Sequence, residues 1–140
     1  MKRVNLYVDC KDVNPEILIG ILKRHDLDKE AVFYGNDDYL KRLKGVLPQA
    51  RIIPALRQLE DLEKKMADLA PYGFDVTWKA LNANAVRLIQ SKDVKIHTDL
   101  LFINDRKRNY LKAQRWGIHA IQTNKARKAI ASFQKTNRCL

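Results

Sequence analysis

The sequence predicts an α/β domain built from six consecutive βα units. Three observations carry this prediction. Short aliphatic and aromatic runs alternate with segments of helical periodicity, the alternation is unbroken over residues 4–135, and no linker, low-complexity stretch or repeat interrupts it. Each unit takes roughly 20–25 residues, which suits parallel strands joined by covering helices. Two architectures fit this rhythm: an open, doubly wound parallel sheet, or consecutive units of a (β/α)8 barrel. In both, ligands gather at the carboxyl ends of the strands.

The elements follow in order. Residues 4–8 form the first strand-like run, and residues 15–25 place Ile17, Leu18, Ile21 and Leu22 on one helical stripe. Residues 31–34 read as the second strand, closed by Gly35-Asn36; Asp37 is set to cap a helix over 39–46 that Pro48 ends. Residues 51–55 are strand-like, and 59–69 form an amphipathic helix ended by Pro71. A fourth strand over 74–78 precedes a helix over 84–90, and a fifth over 94–98 precedes a basic helix over 106–115, closed by Gly117. Residues 118–123 are the sixth strand and 125–135 the last helix. The whole of 1–140 reads as one domain.

Composition narrows the function classes. The chain is 46% hydrophobic and 31% charged, as for an ordinary globular domain. No apolar run reaches the length of a membrane span, and Met1-Lys2-Arg3 leads into a strand rather than a signal peptide's apolar core, so the expectation is a cytoplasmic protein. Cys10 and Cys139 are far apart and lack metal-ligand spacing, which suits reduced thiols. The net charge is +11, and +9 of it falls in residues 91–140, where twelve basic residues stand against three acidic ones. Such a face attracts phosphates. No helix-turn-helix, zinc-finger or aromatic RNA-binding motif is present, so nucleic acid is not the expected partner.

The strand ends are rich in polar groups. Asp9 and Lys11 stand two apart at the end of the first strand, so they project to the same face and set a carboxylate beside an ammonium. Such a pair suits a cation and a phosphate oxygen held side by side, and equally a salt bridge in a loop. Trp78-Lys79 and Asp99 fall at the ends of the fourth and fifth strands. His25 ends a helix, His97 lies on the fifth strand, and His119 falls within the sixth, where a packing role is expected.

From Asn5 to about Ile130, the chain resembles the C-terminal three-quarters of a glycerophosphodiester phosphodiesterase. Asp9-Cys10-Lys11 stands where that family has a Glu-x-Lys strand end, with Asp replacing Glu. Ala31–Gly35, Leu40–Leu43 and Pro48–Pro54 resemble the family's following segments, and the stretch from Gly117 to Ala126 is similar to its last strand signature, with Asn124 and Ala126 in place of Asp and Pro. The resemblance implies a TIM-type barrel and hydrolysis of a glycerophosphodiester, in lipid metabolism, to glycerol phosphate and an alcohol. It implies a divalent cation, Ca2+ or Mg2+, with Asp9 as a metal ligand and Lys11 as the phosphate contact. Trp78 and Lys79 would line the substrate groove, and Asp99 would add a polar contact.

The family's His-Arg-Gly strand and Glu-x-Asp metal pair have no counterpart here: His25, His97 and His119 are followed by Asp, Thr and Ala. Without positioned proton-transfer groups, hydrolysis loses on the order of 10²–10⁴ in rate. A closed barrel needs about 250 residues. The expectation is therefore an incomplete barrel, truncated on its N-terminal side, impaired or inactive alone, and open to self-association through the edges of its first and last strands. Two other functions stand beside this one. The first is a non-catalytic remnant that binds phosphate-rich partners through its basic C-terminal face. The second is a haloacid-dehalogenase-like phosphatase, suggested by Phe102-Ile103-Asn104-Asp105 ahead of Gly117-Ile118, although Lys11 stands where that family's second Asp would be.

Overall fold

The computed structural model describes residues 5–136. The six strands lie in sequence order, the first three in one sheet and the last three in the other, and the chain divides into two compact units after Asp75.

The first unit runs β1 (Tyr7–Asp9), α1 (Pro15–Arg24), β2 (Val32–Gly35), α2 (Asp37–Val46), β3 (Arg51–Pro54), a 3-10 turn (Leu59–Asp61), α3 (Leu62–Leu69) and β4 (Gly73–Asp75). β1 pairs in parallel with β2, and β2 with β3, in a register that aligns Val8, Phe33 and Ile52. These three point to one face, where Phe33 and Ile52 are fully buried among Ile19, Leu22, Leu40 and Leu43 of α1 and α2. The alternate positions Asp9 and Tyr34 align on the opposite face and stay partly or largely exposed. This follows from the period of two: one residue of slip would exchange the apolar set for the polar one. β4 lies beside β3, joined by a bridge between Ala55 and Asp75 and by hydrogen bonds from Leu56 N–H to Asp75 O (2.8 Å) and from Tyr72 N–H to Ile52 O (3.0 Å).

The helices are bounded as their sequences demand. Asn14 Oδ1 accepts from Ile17 N–H with Pro15 in the first turn of α1, and Asn36 Oδ1 accepts from Tyr39 N–H at the start of α2. α1 ends in a Schellman motif, with Asp26 at φ 55 and Leu27 N–H donating to Leu22 O. Lys44 Nζ, from α2, donates to Leu69 O and Ala70 O, setting a cation against the negative end of α3.

The second unit carries a 3-10 turn (Trp78–Ala80), α4 (Ala83–Gln90), β5 (Lys95–Asp99), a 3-10 turn (Phe102–Asn104), α5 (Lys107–Arg115), β6 (Ala120–Gln122) and α6 (Ala126–Thr136). β5 and β6 are parallel, with Thr98 opposite Ile121. Leu100, Tyr110, Ala113 and Ala129 form a buried cluster, against which Trp78, Ile118, Ile121 and Phe133 pack. Gly117, at φ 68, ends α5 through a second Schellman motif, with Ile118 N–H donating to Ala113 O; an L-residue there would meet both the strain and the Gln90 amide at 3.2 Å.

Strand order decides between the two predicted architectures. A doubly wound sheet reverses its order at a switch point. Here consecutive strands are neighbours, which is barrel order. Several bounds differ from the sequence expectation. The fourth strand ends at Asp75, so Trp78 and Lys79 lie in a 3-10 turn beyond it rather than on it. Asn36, not Asp37, caps α2, and the helix expected over 59–69 begins as a 3-10 turn. β6 is shorter than expected and His119 precedes it. Val4 and Cys139 lie outside the described residues.

Candidate functional site

Asp9 closes β1, and Cys10 N–H continues the pairing to Tyr34 O at 2.7 Å. The Cys10 side chain turns into the core, and burial pushes its thiol pKa up. Lys11 thereby returns to the face of Asp9, and the predicted pair forms: Lys11 Nζ lies 2.9 Å from Asp9 Oδ2. The hydrogen bond that Lys11 donates to Asp9, and then the charge of Asp9, raise the pKa of Lys11, which stays a cation at neutral pH. Both side chains remain open to solvent, so the contact is screened and holds little of the fold together.

The pair opens onto a cleft of about 1040 Å³ at the carboxyl ends of β1, β2 and β3. Its lining includes Tyr34, Arg42, Arg57 and Lys65. Because Asn36 caps α2, the Asp37 carboxylate is released to take Lys65 Nζ of α3, 2.5 Å from its Oδ2. The Arg42 guanidinium lies 5.5 Å from the Tyr39 ring centroid, and Tyr34 stacks on Tyr7 at 6.3 Å. Burial first, then the charge of Asp75 and the neighbouring Tyr34, raise the pKa of the Tyr7 phenol, which stays protonated. Carboxylates of Asp9, Asp12, Asp37, Asp38 and Asp61 accompany the cations. With these five carboxylates against Lys11, Arg42, Arg57 and Lys65, the lining is of mixed sign.

The divalent cation implied by the resemblance needs several oxygen ligands. Asp9 offers one carboxylate, and that carboxylate is engaged by Lys11. Among the described residues, no group of three or more His, Cys, Asp or Glu side chains is placed to hold a metal ion, so the residues present do not fit that group.

In the second unit the structure brings Trp78 and Asp99 together: Trp78 N–H donates to Asp99 Oδ1 at 3.4 Å. The Trp78 ring also packs on the cluster around Tyr110 and lies 5.6 Å from Trp116, with Lys112 Nζ 4.4 Å from the Trp116 centroid. Lys79 is exposed beside it. Asp105, near the end of the haloacid-dehalogenase-like stretch, is buried and taken by Tyr110 Oη, Thr123 Oγ1 and Asn124 N–H. Burial alone would raise its pKa, but these donors and Lys125 outweigh it and push the carboxyl below its usual value.

The histidines are not placed as an acid–base pair. His25 caps the C-terminus of α1, at the end of the helix remote from the strand ends. Burial, and then the charge of His119, hold His97 down at about 4, so it is neutral at physiological pH. His119 Nδ1 accepts from Ile96 N–H at 3.1 Å, but the residue is exposed and precedes β6, so it does not fill the packing position expected within the strand.

Sequence reading missed Arg57, Arg42 and Lys65. Arg57 lies three residues beyond β3, just past the strand end as read, and a wider strand-end window would have included it. Lys65 sits mid-helix and reaches the cleft only through the packing of α3 beside α2, which no local pattern announces.

No family model and no curated protein matches the chain. Solved structures do. A structure from Galdieria sulphuraria, described as a glycerophosphodiester phosphodiesterase, matches at a TM-score of 0.80 and 13% identity, over 91% of this chain and 56% of its own. A glycerophosphoryl diester phosphodiesterase from Parabacteroides distasonis matches at 0.79 and 12%, over 96% of this chain and 52% of its own. A phosphodiesterase from Oleispira antarctica, solved with its product sn-glycerol-3-phosphate, matches at 0.74 and 17%, over 86% and 49%. The chain thus spans about half the length of the structures it matches. At these identities the likeness is one of fold, and the fold is six consecutive βα units of the TIM-type barrel seen in glycerophosphodiester phosphodiesterases.

Proposed function

We propose that this chain is a glycerophosphodiester phosphodiesterase-like domain that receives the phosphate of a glycerophosphodiester, or of its glycerol phosphate product, at the Asp9–Lys11 cleft. The observation that carries the reading is the Lys11 ammonium, held at the mouth of that cleft by Asp9 Oδ2 at 2.9 Å. A phosphate oxygen would exchange one carboxylate partner for a second anion on the same cation, while Arg42 and Arg57 lie in the same lining to share its charge. The product bound in the Oleispira antarctica structure supports this choice of ligand.

Hydrolysis by the chain alone is impaired on this reading. In the first unit, the histidine among the described residues is His25, which caps a helix end and does not line the cleft. Trp78, Lys79 and Asp99 belong to the second unit, and none of them is in the lining of this cleft. The test is titration of the purified chain with sn-glycerol-3-phosphate, and incubation with glycerophosphocholine in the presence and absence of Ca2+ or Mg2+. Saturable binding that Lys11→Gln weakens by on the order of tenfold supports the reading. Equal binding by wild type and Lys11→Gln would remove it. Metal-dependent release of glycerol phosphate that Asp9→Ala abolishes would make the domain an autonomous enzyme. The outer edges of β1 and β6 carry the proposal of self-association by strand pairing, which a monodisperse monomer in light scattering would oppose.

A further inference from the structure

The loop between β5 and α5 turns two large apolar side chains into solvent. Phe102 is 84% exposed and Ile103 69%, the highest values among the exposed large hydrophobics of the described residues. The loop is braced in this form. Asn104 N–H donates to Leu101 O (3.0 Å), Asp105 N–H to Phe102 O (3.1 Å), and Asn109 Nδ2 to Asn104 O (2.8 Å). Just behind it, the buried Asp105 carboxylate ties the loop to Tyr110 of α5 and to Thr123 and Asn124 after β6. Phe102 itself sits at φ 52, a left-handed conformation that a bulky side chain adopts at a cost. A floppy loop would relax that strain and fold its apolar groups onto the protein; this one holds them out.

Three exposed cations follow at once: Arg106, Lys107 and Arg108. They stand at the start of α5, where the helix dipole is already positive and where acidic residues would be the stabilising choice. None of the three is among the ion pairs of the described residues. Charge of this sign at this place answers no need of the fold, and it lies beside apolar side chains that also answer none.

We propose that this loop docks the chain on an anionic lipid surface, with Phe102 and Ile103 entering the boundary between headgroups and acyl chains while Arg106, Lys107 and Arg108 meet the lipid phosphates. Apolar groups at a tip, with a basic collar behind them, match the two layers that such a surface offers in order of depth. A nucleic acid would match the collar and the Phe102 ring but not the whole tip. It gains from stacking on aromatic faces, and Ile103 has none. The proposal is independent of the cleft reading, since its residues and its ligand are others.

The test is co-sedimentation of the chain with vesicles of phosphatidylcholine and of phosphatidylcholine mixed with phosphatidylserine, over a range of salt. Binding to the mixed vesicles that weakens as salt rises, and that the double variant Phe102→Ser/Ile103→Ser reduces by at least about tenfold, is the expected result. The variant's circular dichroism should match wild type, because both side chains are exposed. Lys107→Gln/Arg108→Gln should remove the preference for phosphatidylserine. Three outcomes would overturn the proposal: no vesicle binding by wild type; vesicle binding untouched by the Phe102/Ile103 variant; or, in place of vesicle binding, self-association or oligonucleotide binding that depends on these residues.

Discussion

Replacing Phe33 by alanine, and separately its neighbour Tyr34, tests which face of the first sheet is sealed. Phe33 is fully buried at the centre of β2, between Val8 and Ile52 in register and beneath α1 and α2. Truncating it removes a ring from a site that cannot collapse, a loss of about 3–5 kcal/mol. Against a total stability of about 5–15 kcal/mol, that is a large fraction. For a chain of this length it corresponds to a fall in Tm of about 10–15 °C. Tyr34 is half-buried on the opposite face, where its ring stacks on Tyr7. Its truncation loses that stacking and part of its apolar burial, about 1–2 kcal/mol. Urea unfolding followed by circular dichroism measures both, with midpoints shifting and slopes unchanged. A Tyr34→Ala loss equal to or larger than that of Phe33→Ala would refute the face assignment, and with it the placement of Asp9 beside an open cleft.

Two further predictions concern the second unit. His97 should titrate with a midpoint of about 4 in proton NMR, because burial and His119 oppose its charge. With the folded value below the unfolded one, its contribution to stability is present above about 6.5 and is lost as pH falls toward the folded value. A midpoint near the usual histidine value would show that the ring is solvated. Tyr110→Phe removes one donor to the buried Asp105 carboxylate, so its pKa should move up toward the ordinary range and Tm should fall by a few degrees. Because the Asp105 pKa is depressed, its contribution is present above the ordinary aspartate pKa and is lost as pH falls through the folded value, and the variant should show a shallower acid transition. An unchanged acid transition would contradict that role for Asp105.

What the sequence disclosed, and what it hid, has a physical pattern. The succession of six βα units and the Asp9–Lys11 pair were readable because each rests on local periodicity: Val8 and Phe33 mark the buried face, and residues two apart share the other. The lateral order of the strands, which separates a barrel from an open sheet, was not. The end of the fourth strand was not readable. The alternating run Phe74-Asp75-Val76-Thr77-Trp78 reads as one continuous strand, yet the chain turns at Thr77, where Val76 N–H bonds His97 O and Trp78 N–H bonds Asp99, partners 21 residues downstream. The cap of α2 was ambiguous by type, since Asn36 and Asp37 both qualify, and the side-chain bond to Tyr39 N–H settles it on Asn36. That one-residue difference leaves the Asp37 carboxylate to pair with Lys65 at the cleft. The divalent-cation site expected around Asp9 needs partners from elsewhere in space, and the described residues do not supply them.

The most direct measurement is a 15N-labelled titration of the chain with sn-glycerol-3-phosphate. The account predicts saturable shifts at the amides of Cys10, Lys11, Gly35 and Asn36, lost in Lys11→Gln while Tm stays unchanged, because the exposed Asp9–Lys11 pair contributes little to the fold. Shifts confined to the basic second unit, or shifts that persist undiminished in Lys11→Gln, would contradict it.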